Sequence, residues 1–364
     1  MELFIFNKEL ELIHIIDVFN SLCWRRKYYE VGEFELEIEL TDDILKYLKI
    51  GNIIYKKDDL EAGYINTIRI DLDNEGKEVI KVLGKFLTNY IGGRIVWDTV
   101  TFNGAIENYI RNLVDKNCIN TTINRKIPKL ELGILKNLND NINCQTSYKN
   151  IIEELTEVLT TYEIGYRIEL DYRNKKLLFQ LYKGIDRSIN QQNISPCIFS
   201  REFENVLSQS YFNSNENLKT TALIAGEGEG KDRVLTEINN NVSGLDRLEI
   251  FVDARDLKKE SNDNTLTEEE YLKILQQRGK EKLYQNLSTN TFEGTINLLS
   301  NNSYKRDFEL GDIVTILDRK WNITINARIT EIEEVYENGG KSINVIFGNK
   351  IPTILDKIKS KVRW

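Results

Sequence analysis

Residues 34–40 read Phe34-Glu35-Leu36-Glu37-Ile38-Glu39-Leu40, an alternation of apolar and acidic side chains. Because successive side chains of a β-strand point to opposite faces, this alternation predicts a half-buried strand. A short apolar segment that ends in glycine follows at Leu48-Lys49-Ile50-Gly51. An isoleucine-rich run comes next, at Asn52-Ile53-Ile54. These segments predict a β-module over residues 34–85.

A second stretch, residues 292–349, repeats the pattern of the first. It opens with Phe292, Ile296 and Leu298, passes through Phe308-Glu309-Leu310-Gly311 and continues into Asp312-Ile313-Val314. The matched positions are Ile65 with Ile329, Ile68 with Ile332, Gly51 with Gly311, Gly76 with Gly340, and Gly84 with Gly348. We interpret the six glycines as turn positions of a duplicated module. Unrelated β-hairpins also share glycine turns, which leaves chance similarity as the alternative.

Composition places the chain among soluble globular proteins. Its 364 residues are 41% hydrophobic and 29% charged, with a formal net charge of −8. Acidic and basic residues are interspersed, which argues against a dedicated nucleic-acid surface. No run of apolar residues is long enough to span a membrane, and the N-terminus lacks the basic start of a signal peptide. We therefore predict no membrane-spanning segment.

The pattern along the chain predicts a β-rich α+β protein with two similar tube-like β-barrels and an inserted α/β domain. The predicted ranges are 1–95 for the first barrel, completed by about 198–215, then 96–197 for the insert, 216–350 for the second barrel with a helix at 266–287, and 351–364 for a basic tail. Asn103 and Ser147 are predicted to cap two helices of the insert, and Thr267 with Glu270 forms a capping box for the third helix.

No arrangement of residues indicates a catalytic or metal site. Four cysteines lie far apart without CxxC spacing, and His14 is the single histidine. The glycine-rich stretch from Gly226 to Lys231 contains two glutamates and lacks the Ser/Thr of a phosphate loop. We predict no cofactor and no enzymatic activity. The alternative is a peptidoglycan-degrading enzyme that uses paired carboxylates. A weaker alternative is a carbohydrate-binding module with exposed Trp97, Trp321 or Trp364.

Two charged segments are candidate functional surfaces. Glu33, Glu35, Glu37 and Glu39 share one strand face, which is either a solvated surface or a negative wall past which nucleic acid slides. Asp253, Arg255 and Asp256 form a local ionic cluster. Adjacent strand residues face opposite sides, so Arg255 is predicted to pair elsewhere. A subunit interface and a surface charge cluster remain equally open interpretations of that segment.

Several segments resemble the tail-hub proteins of siphophages and related phage-like particles. The resemblance rests on the order and spacing of Glu2–Asn7, Tyr28–Leu36, Arg94–Trp97 before a helix, Gly244-Leu245 before Phe251–Asp256, and Phe308–Asp312. It implies a trimeric hub at the distal end of a tail tube, with two tube-like barrels in each subunit. A trimer of duplicated barrels presents six similar units, so it matches a six-fold tube and a three-fold tip.

The resemblance also implies partners and a location. A tail tube or distal tail protein is expected above the hub, and tip, spike or receptor-binding proteins below it. Tape-measure protein and DNA pass in transit only. We expect the chain in the virion tail, at the tail tip or baseplate, and in the bacterial host cytoplasm during assembly.

Overall fold

The computed structural model describes residues 1–41, 43–72, 76–261, 264–337 and 339–348. The predicted basic tail at 351–364 lies outside the described residues. Strands β1 to β23 are, in chain order, Leu3–Phe6, Leu12–Ile16, Ser21–Lys27, Glu33–Glu39, Ile53–Lys56, Ala62–Leu72, Glu78–Phe86, Val100–Ala105, Leu130–Leu132, Asn141–Thr146, Gly165–Asp171, Lys176–Tyr182, Ile198–Ser200, Val206–Ser214, Thr221–Ala225, Leu235–Asn239, Glu249–Asp253, Glu260–Ser261, Asn264–Thr265, Thr289–Ile296, Ile313–Asp318, Ile323–Glu337 and Gly340–Gly348. Helices α1 to α3 are Ile106–Val114, Ile151–Thr161 and Glu268–Tyr284. The prediction of a β-rich chain with several sheets is confirmed.

The chain forms two compact units, and each unit is built from three segments that are separated along the sequence. The first contains Met1–Leu22, Tyr29–Tyr182 and Lys219–Leu287, and the second contains Cys23–Tyr28, Lys183–Leu218 and the described residues from Ser288 onward. Residues 198–215, assigned from sequence to the first barrel, thus lie in the second unit. Residues 219–287, assigned to the second barrel, lie in the first.

The main sheet of the first unit runs in the order β4-β7-β6-β5-β1-β2, and each neighbouring pair is antiparallel. Phe34, Leu36 and Ile38 of β4 are buried, whereas the glutamates between them face outward. The prediction of a half-buried strand is confirmed, since the apolar residues all lie on the core face.

The second unit contains an antiparallel sheet in the order β14-β20-β23-β22. The first half of β22 pairs with β21, which also pairs with β13 in parallel. Rings of Phe199, Phe308, Phe347 and Phe292 pack together in its core, with centroid separations of 5.1 to 6.0 Å. These edge-to-face and tilted contacts give the small unit a well-defined aromatic core.

The duplication predicted from sequence is present in the backbone. Strands β4-β7-β6-β5 and β20-β23-β22-β21 have the same order and the same antiparallel pairing. A register shift interrupts the first hairpin between Ile65 and Thr67 and the second between Ile329 and Glu331. A bulge at the same place in both copies is a specific feature that chance similarity of hairpins does not require.

The apolar-glycine step is also the same in both copies. The Gly51 amide donates to the Ile65 carbonyl at 2.8 Å, and the Gly311 amide donates to the Ile329 carbonyl at 2.9 Å. Gly51 and Gly311 have φ angles of +88° and +94°, in the region that favours glycine. These two glycines are therefore turn positions for the same conformational reason.

The last strand departs from the sequence match by one residue. Gly84 lies opposite Ile65, but Phe347 rather than Gly348 lies opposite Ile329. The core side chains agree with this register, because buried Ile80 and Val82 of β7 correspond to buried Ile343 and Val345 of β23. A one-residue offset would exchange the buried and exposed faces, so burial decides the equivalence.

Neither duplicated sheet closes into a barrel in the described residues. The two closed barrels predicted from sequence are not observed. Each copy supplies four strands, and the first unit's sheet has six in the order given above. A barrel filled by its own side chains takes about eight strands, so these sheets are too small to close alone.

The helices and small sheets of the first unit are built around two apolar cores. One surrounds α1, α2, β11 and β12, and the other lies between α3 and the sheet β16-β15-β17. The capping box of Thr267 and Glu270 is confirmed at the start of α3. Two predicted caps are wrong: Asn103 lies within β8, and Asn150 rather than Ser147 caps α2.

Candidate functional site

The acidic residues of β4 lie beside lysines of β7. Lys85 pairs with Glu33, and Lys81 Nζ lies 3.1 Å from Glu37 Oε2. The antiparallel register places each lysine opposite its glutamate. The hydrogen bond with Glu37 and its negative charge raise the pKa of Lys81. Lys77 lies 3.8 Å from Glu39, so three of the four glutamates on the face predicted as a negative wall lie beside a lysine.

The equivalent face of the second copy obtains its cation from a different strand. Arg25 of β3 binds both Glu331 and Glu333 of β22, with Nε 3.1 Å from Glu331 Oε1. Burial favours a neutral Glu333, but hydrogen bonds from Cys23 and Asn344 and the charge of Arg25 outweigh it and lower the pKa of Glu333. Sequence reasoning missed this ion pair because about three hundred residues separate its partners.

A chain of hydrogen bonds crosses this polar face. Ser208 donates to Thr295 at 2.9 Å, Thr295 to Asn344 at 2.9 Å, and Asn344 to Glu333 at 2.9 Å. These residues line a polar groove of about 400 Å³. Arg25 binds both Glu331 and Glu333, and the pKa of Glu333 is lowered. A glycosidase general acid needs a carboxyl with a raised pKa, so Glu333 does not suit that role.

The ionic cluster on β17 pairs within the chain. Arg255 binds Asp253 through two nitrogens, with Nη2 2.6 Å from Oδ2, and Arg233 reaches Asp253 at 2.7 Å. The hydrogen bond from Arg255 lowers the pKa of Asp253. Asp256 instead pairs with Arg278 of α3 at 3.1 Å. The expected pairing of Arg255 elsewhere is thus replaced by a pairing two residues away.

An apolar patch lies beside that cluster on the sheet face opposite α3. Phe251 of β17 is 50% exposed, and Leu223, directly opposite it on β15, is 43% exposed. Leu235 at the start of β16 is also exposed. Sequence reasoning did not single out these residues as a surface, because apolar residues of a strand are ordinarily expected to be buried. Their exposure makes this sheet face a candidate contact surface.

Two strand edges complete the set of candidate surfaces. Among the described strands, β2 pairs with β1 and β14 pairs with β20, so each has an open side. β14 is nine residues long and exposes Leu207 at 68%. A long edge with exposed apolar side chains is a template for pairing with another chain. Sequence patterns identify strands but not which of them end a sheet.

The repeat glycines have different roles. Gly76 and Gly340 adopt positive φ with open space around them, as in hairpin turns. A Cβ atom on Gly84 would lie 2.1 Å from the Phe34 ring, so Gly84 makes room for a cross-strand side chain. Gly348 has a φ of +84° at the end of β23.

Of the remaining sequence candidates, the structure describes the glycine-rich stretch, His14, Trp97 and Trp321. The glycine-rich stretch lies between β15 and β16. His14 stacks on Tyr47 with ring centroids 4.2 Å apart. Trp97 is exposed beneath the Arg125 guanidinium, Trp321 is less exposed, and Trp364 lies outside the described residues. Within residues that the structure describes, no cluster of ligands suits a metal ion, and no helix is long and apolar enough to cross a membrane.

The model of the siphovirus ReqiPepy6 Gp37-like protein family matches residues 2–349. The chain belongs to this family. The match covers both duplicated modules and the segments between them, in agreement with the tail-protein resemblance noted from sequence. A search of curated proteins finds no match.

Solved structures share the fold across nearly the whole chain. The tail protein from Neisseria meningitidis MC58 aligns with a TM-score of 0.59 at 12% identity, covering 96% of both chains. The 43 kDa tail protein of prophage MuSo2 from Shewanella oneidensis gives 0.59 at 13%, covering 95% of this chain and 98% of that one. Prophage tail protein gp18 from Listeria monocytogenes EGD-e gives 0.57 at 13%, covering 100% and 99%. At such low identity the likeness shows the fold alone.

Proposed function

We propose that this chain is a structural, non-enzymatic hub protein at the distal end of a siphovirus tail tube. Three copies form a ring that adapts a six-fold tube to a three-fold tip or spike. The duplicated module carries the proposal, because the strand order, the bulge and the glycine turn are the same in both copies. A trimer then presents six similar units, and rings form when a heterologous contact closes.

In the proposed ring, strands from two neighbouring subunits together complete each tube-like barrel. Each four-stranded copy is too small to close by itself, and the open sides of β2 and β14 offer backbone groups for pairing. In the ring, the β14 edge of one subunit joins the β2 edge of the next. This head-to-tail contact uses different surfaces on the two partners, as a closed ring requires.

A second contact lies on the sheet face of β15 and β17. Phe251 and Leu223 supply its apolar centre, and Asp253, Arg255 and Asp256 supply its charged rim. Apolar residues surrounded by polar ones are the usual arrangement of a protein interface. The ionic cluster is therefore proposed as part of a subunit interface, with Arg255 oriented by Asp253.

The outward polar faces of both copies line the channel. Glu33, Glu35, Glu37 and Glu39 belong to this lining, and lysines of β7 offset much of their charge. Arg25 has the same effect on Glu331 and Glu333. A hydrated surface with paired charges neither holds nor strongly repels DNA or tape-measure protein in transit.

Tail tube or distal tail protein binds above this hub, and tip, spike or receptor-binding proteins bind below it. The location is the virion tail, at the tip or baseplate, with assembly in the bacterial host cytoplasm. The fold shared with tail proteins of Neisseria, Shewanella and Listeria supports this placement. Cell-wall zymography of the purified chain is expected to leave no cleared band.

Light scattering across a concentration series tests the oligomer. We expect a mass three times that of the 42.5 kDa chain. Leu207→Asp places a charge on the β14 edge and should shift the equilibrium to monomer. Leu299→Asp is the control, since Leu299 is also exposed, at 96% against 68% for Leu207, and lies outside any strand, so it should keep the trimer. A wild-type chain that stays monomeric at all concentrations would contradict the proposed ring.

A further inference from the structure

A cluster of charged and polar side chains is buried in the first unit, where α3 lies against α2 and β10. Glu281 of α3 and Glu154 of α2 are both about 5% exposed. They face one cavity of about 10 Å³, which Cys144, Gln145, Gln277 and Arg278 also line. A space of this size suits about one water molecule and no larger ligand.

The two carboxyl groups differ in how well their charge is compensated. Glu154 accepts hydrogen bonds from the Tyr109 hydroxyl at 2.7 Å and from Lys149 Nζ at 2.9 Å. Glu281 accepts one from Gln277 at 2.9 Å, and Arg278 Nε lies 4.0 Å away. Arg278 is also engaged by Asp256, so it compensates Glu281 weakly. An ionised Glu281 is therefore the costly member of the cluster.

The titratable and charged groups that act on Glu281 come from several elements. They are Cys144 of β10, Lys149 before α2, Glu154 of α2, Tyr162 after it, and Arg278 and Lys282 of α3. Tyr109, Glu157 and Asp256 in turn bind Glu154, Lys149 and Arg278. Burial, and next the negative charge of Glu154, raise the pKa of Glu281 to about 7. Since the folded chain holds this proton more tightly than an unfolded chain does, the stabilisation is complete in acid and declines as pH rises through 7.

The cluster lies on a seam between segments that are distant in sequence. Residues 219–287 contribute α3, and residues 96–182 contribute α2 and β10. Hydrogen bonds join the two segments across this seam. Gln145 forms two of them, of 2.6 and 3.0 Å, with the Lys258 backbone. The Tyr162 hydroxyl donates a third to Gln277 at 3.0 Å. A negative charge on Glu281 therefore affects both α3, which carries it, and the neighbouring α2, which carries Glu154.

We propose that Glu281 is a proton-operated latch that fastens residues 219–287 to α2 and β10. When the Glu281 carboxyl is protonated, α3 packs closely against α2 and β10 beside Glu154. Ionisation of Glu281 places a second carboxylate at the same small cavity, and repulsion between the two weakens this packing. The latch is a property of the first unit and does not depend on the hub role.

Amide hydrogen exchange of the full chain at pH 6 and pH 8, corrected for intrinsic rates, tests the latch. Protection of α3 and β15 is expected to fall about tenfold between these pH values in the wild type. Glu281→Gln should keep high protection at both pH values. Glu153→Gln alters an exposed glutamate of α2 and should behave as the wild type. Equal wild-type protection at pH 6 and 8, or an unchanged pH response in Glu281→Gln, overturns the proposal.

A second measurement covers the case in which Glu281→Gln does not fold. The side-chain carboxyl carbon of Glu281 is followed by nuclear magnetic resonance in the wild-type chain from pH 4 to pH 9. A titration midpoint near 7 supports the latch. A midpoint near the ordinary value of 4.5 shows that the carboxyl is already ionised in the closed seam, and the proposal fails.

Discussion

At the scale of single residues, one glycine shows how close packing constrains the duplicated module. Gly84 faces the Phe34 ring, whereas Phe347 at the equivalent place in the second copy packs against Phe292 with centroids 6.0 Å apart. The sequence predicts that Gly84 matters, but as a turn residue. Its packing role depends on which residues face each other across strands, which a single sequence does not specify.

Gly84→Ala should destabilise the first unit by about 1–3 kcal/mol, because the new methyl group overlaps Phe34 and the Tyr64 carbonyl. Thermal or denaturant unfolding measures the change. Gly93→Ala is the matched control, since no atom lies within 4 Å of its Cβ position. Equal effects of the two substitutions would show that Gly84 is not a packing position.

Glu333 is a residue of the second unit whose ionisation should make stability depend on pH. Its pKa is lowered in the folded chain, so its ionised form contributes stability above the ordinary value of 4.5. That contribution should be lost as pH falls through the lowered pKa. Glu333→Gln should lower the melting temperature at pH 7 and reduce the acid dependence. Melting curves from pH 3 to pH 7 measure both, and identical acid dependence in the two proteins would refute this assignment.

At the scale of elements, sequence signals differ in how well they predict structure. Alternation predicts β4 because one face is buried, and the capping box predicts α3 because both of its hydrogen bonds are local. Ser147 is misleading because several polar residues precede α2, and Asn103 is misleading because it pairs with Asn143 within a strand. The chain path around Ile95, which bridges to Asn150, determines which residue caps α2.

Asn150→Ala should therefore destabilise the first unit by about 1 kcal/mol, since its side chain accepts from the Ile152 amide at 2.9 Å. Ser147→Ala removes the cap that the sequence suggests and should leave stability within experimental error. Paired unfolding curves compare the two. A larger loss for Ser147→Ala would contradict the observed start of α2.

At the scale of the whole molecule, the sequence predicts a duplication that the structure contains, but the two barrels that it also predicts are not observed among the described residues. The two copies share local turns and bulges, which depend on nearby residues. The assembly of each unit from separate segments and the pairing of Arg25 with Glu331 depend on contacts far apart in sequence. The candidate surfaces were only partly predictable for the same reason: acidic residues are visible in a sequence, whereas their lysine partners are identified by register.

Charge on the proposed channel face should affect transit rather than assembly. Glu35→Lys with Glu39→Lys changes two exposed residues of β4 and makes the lining basic. We expect particles of normal composition that release DNA more slowly, because phosphates bind the added cations. Glu268→Lys with Glu269→Lys on α3 is the control. Release at the wild-type rate by the β4 variant would argue against a channel lining.

End-on electron cryo-microscopy of the purified assembly tests the central claim most directly. The account predicts a three-fold ring whose wall contains six similar sheets, two from each chain. A ring of another symmetry, or a three-fold particle in which only one of the two duplicated modules forms the wall, would contradict it.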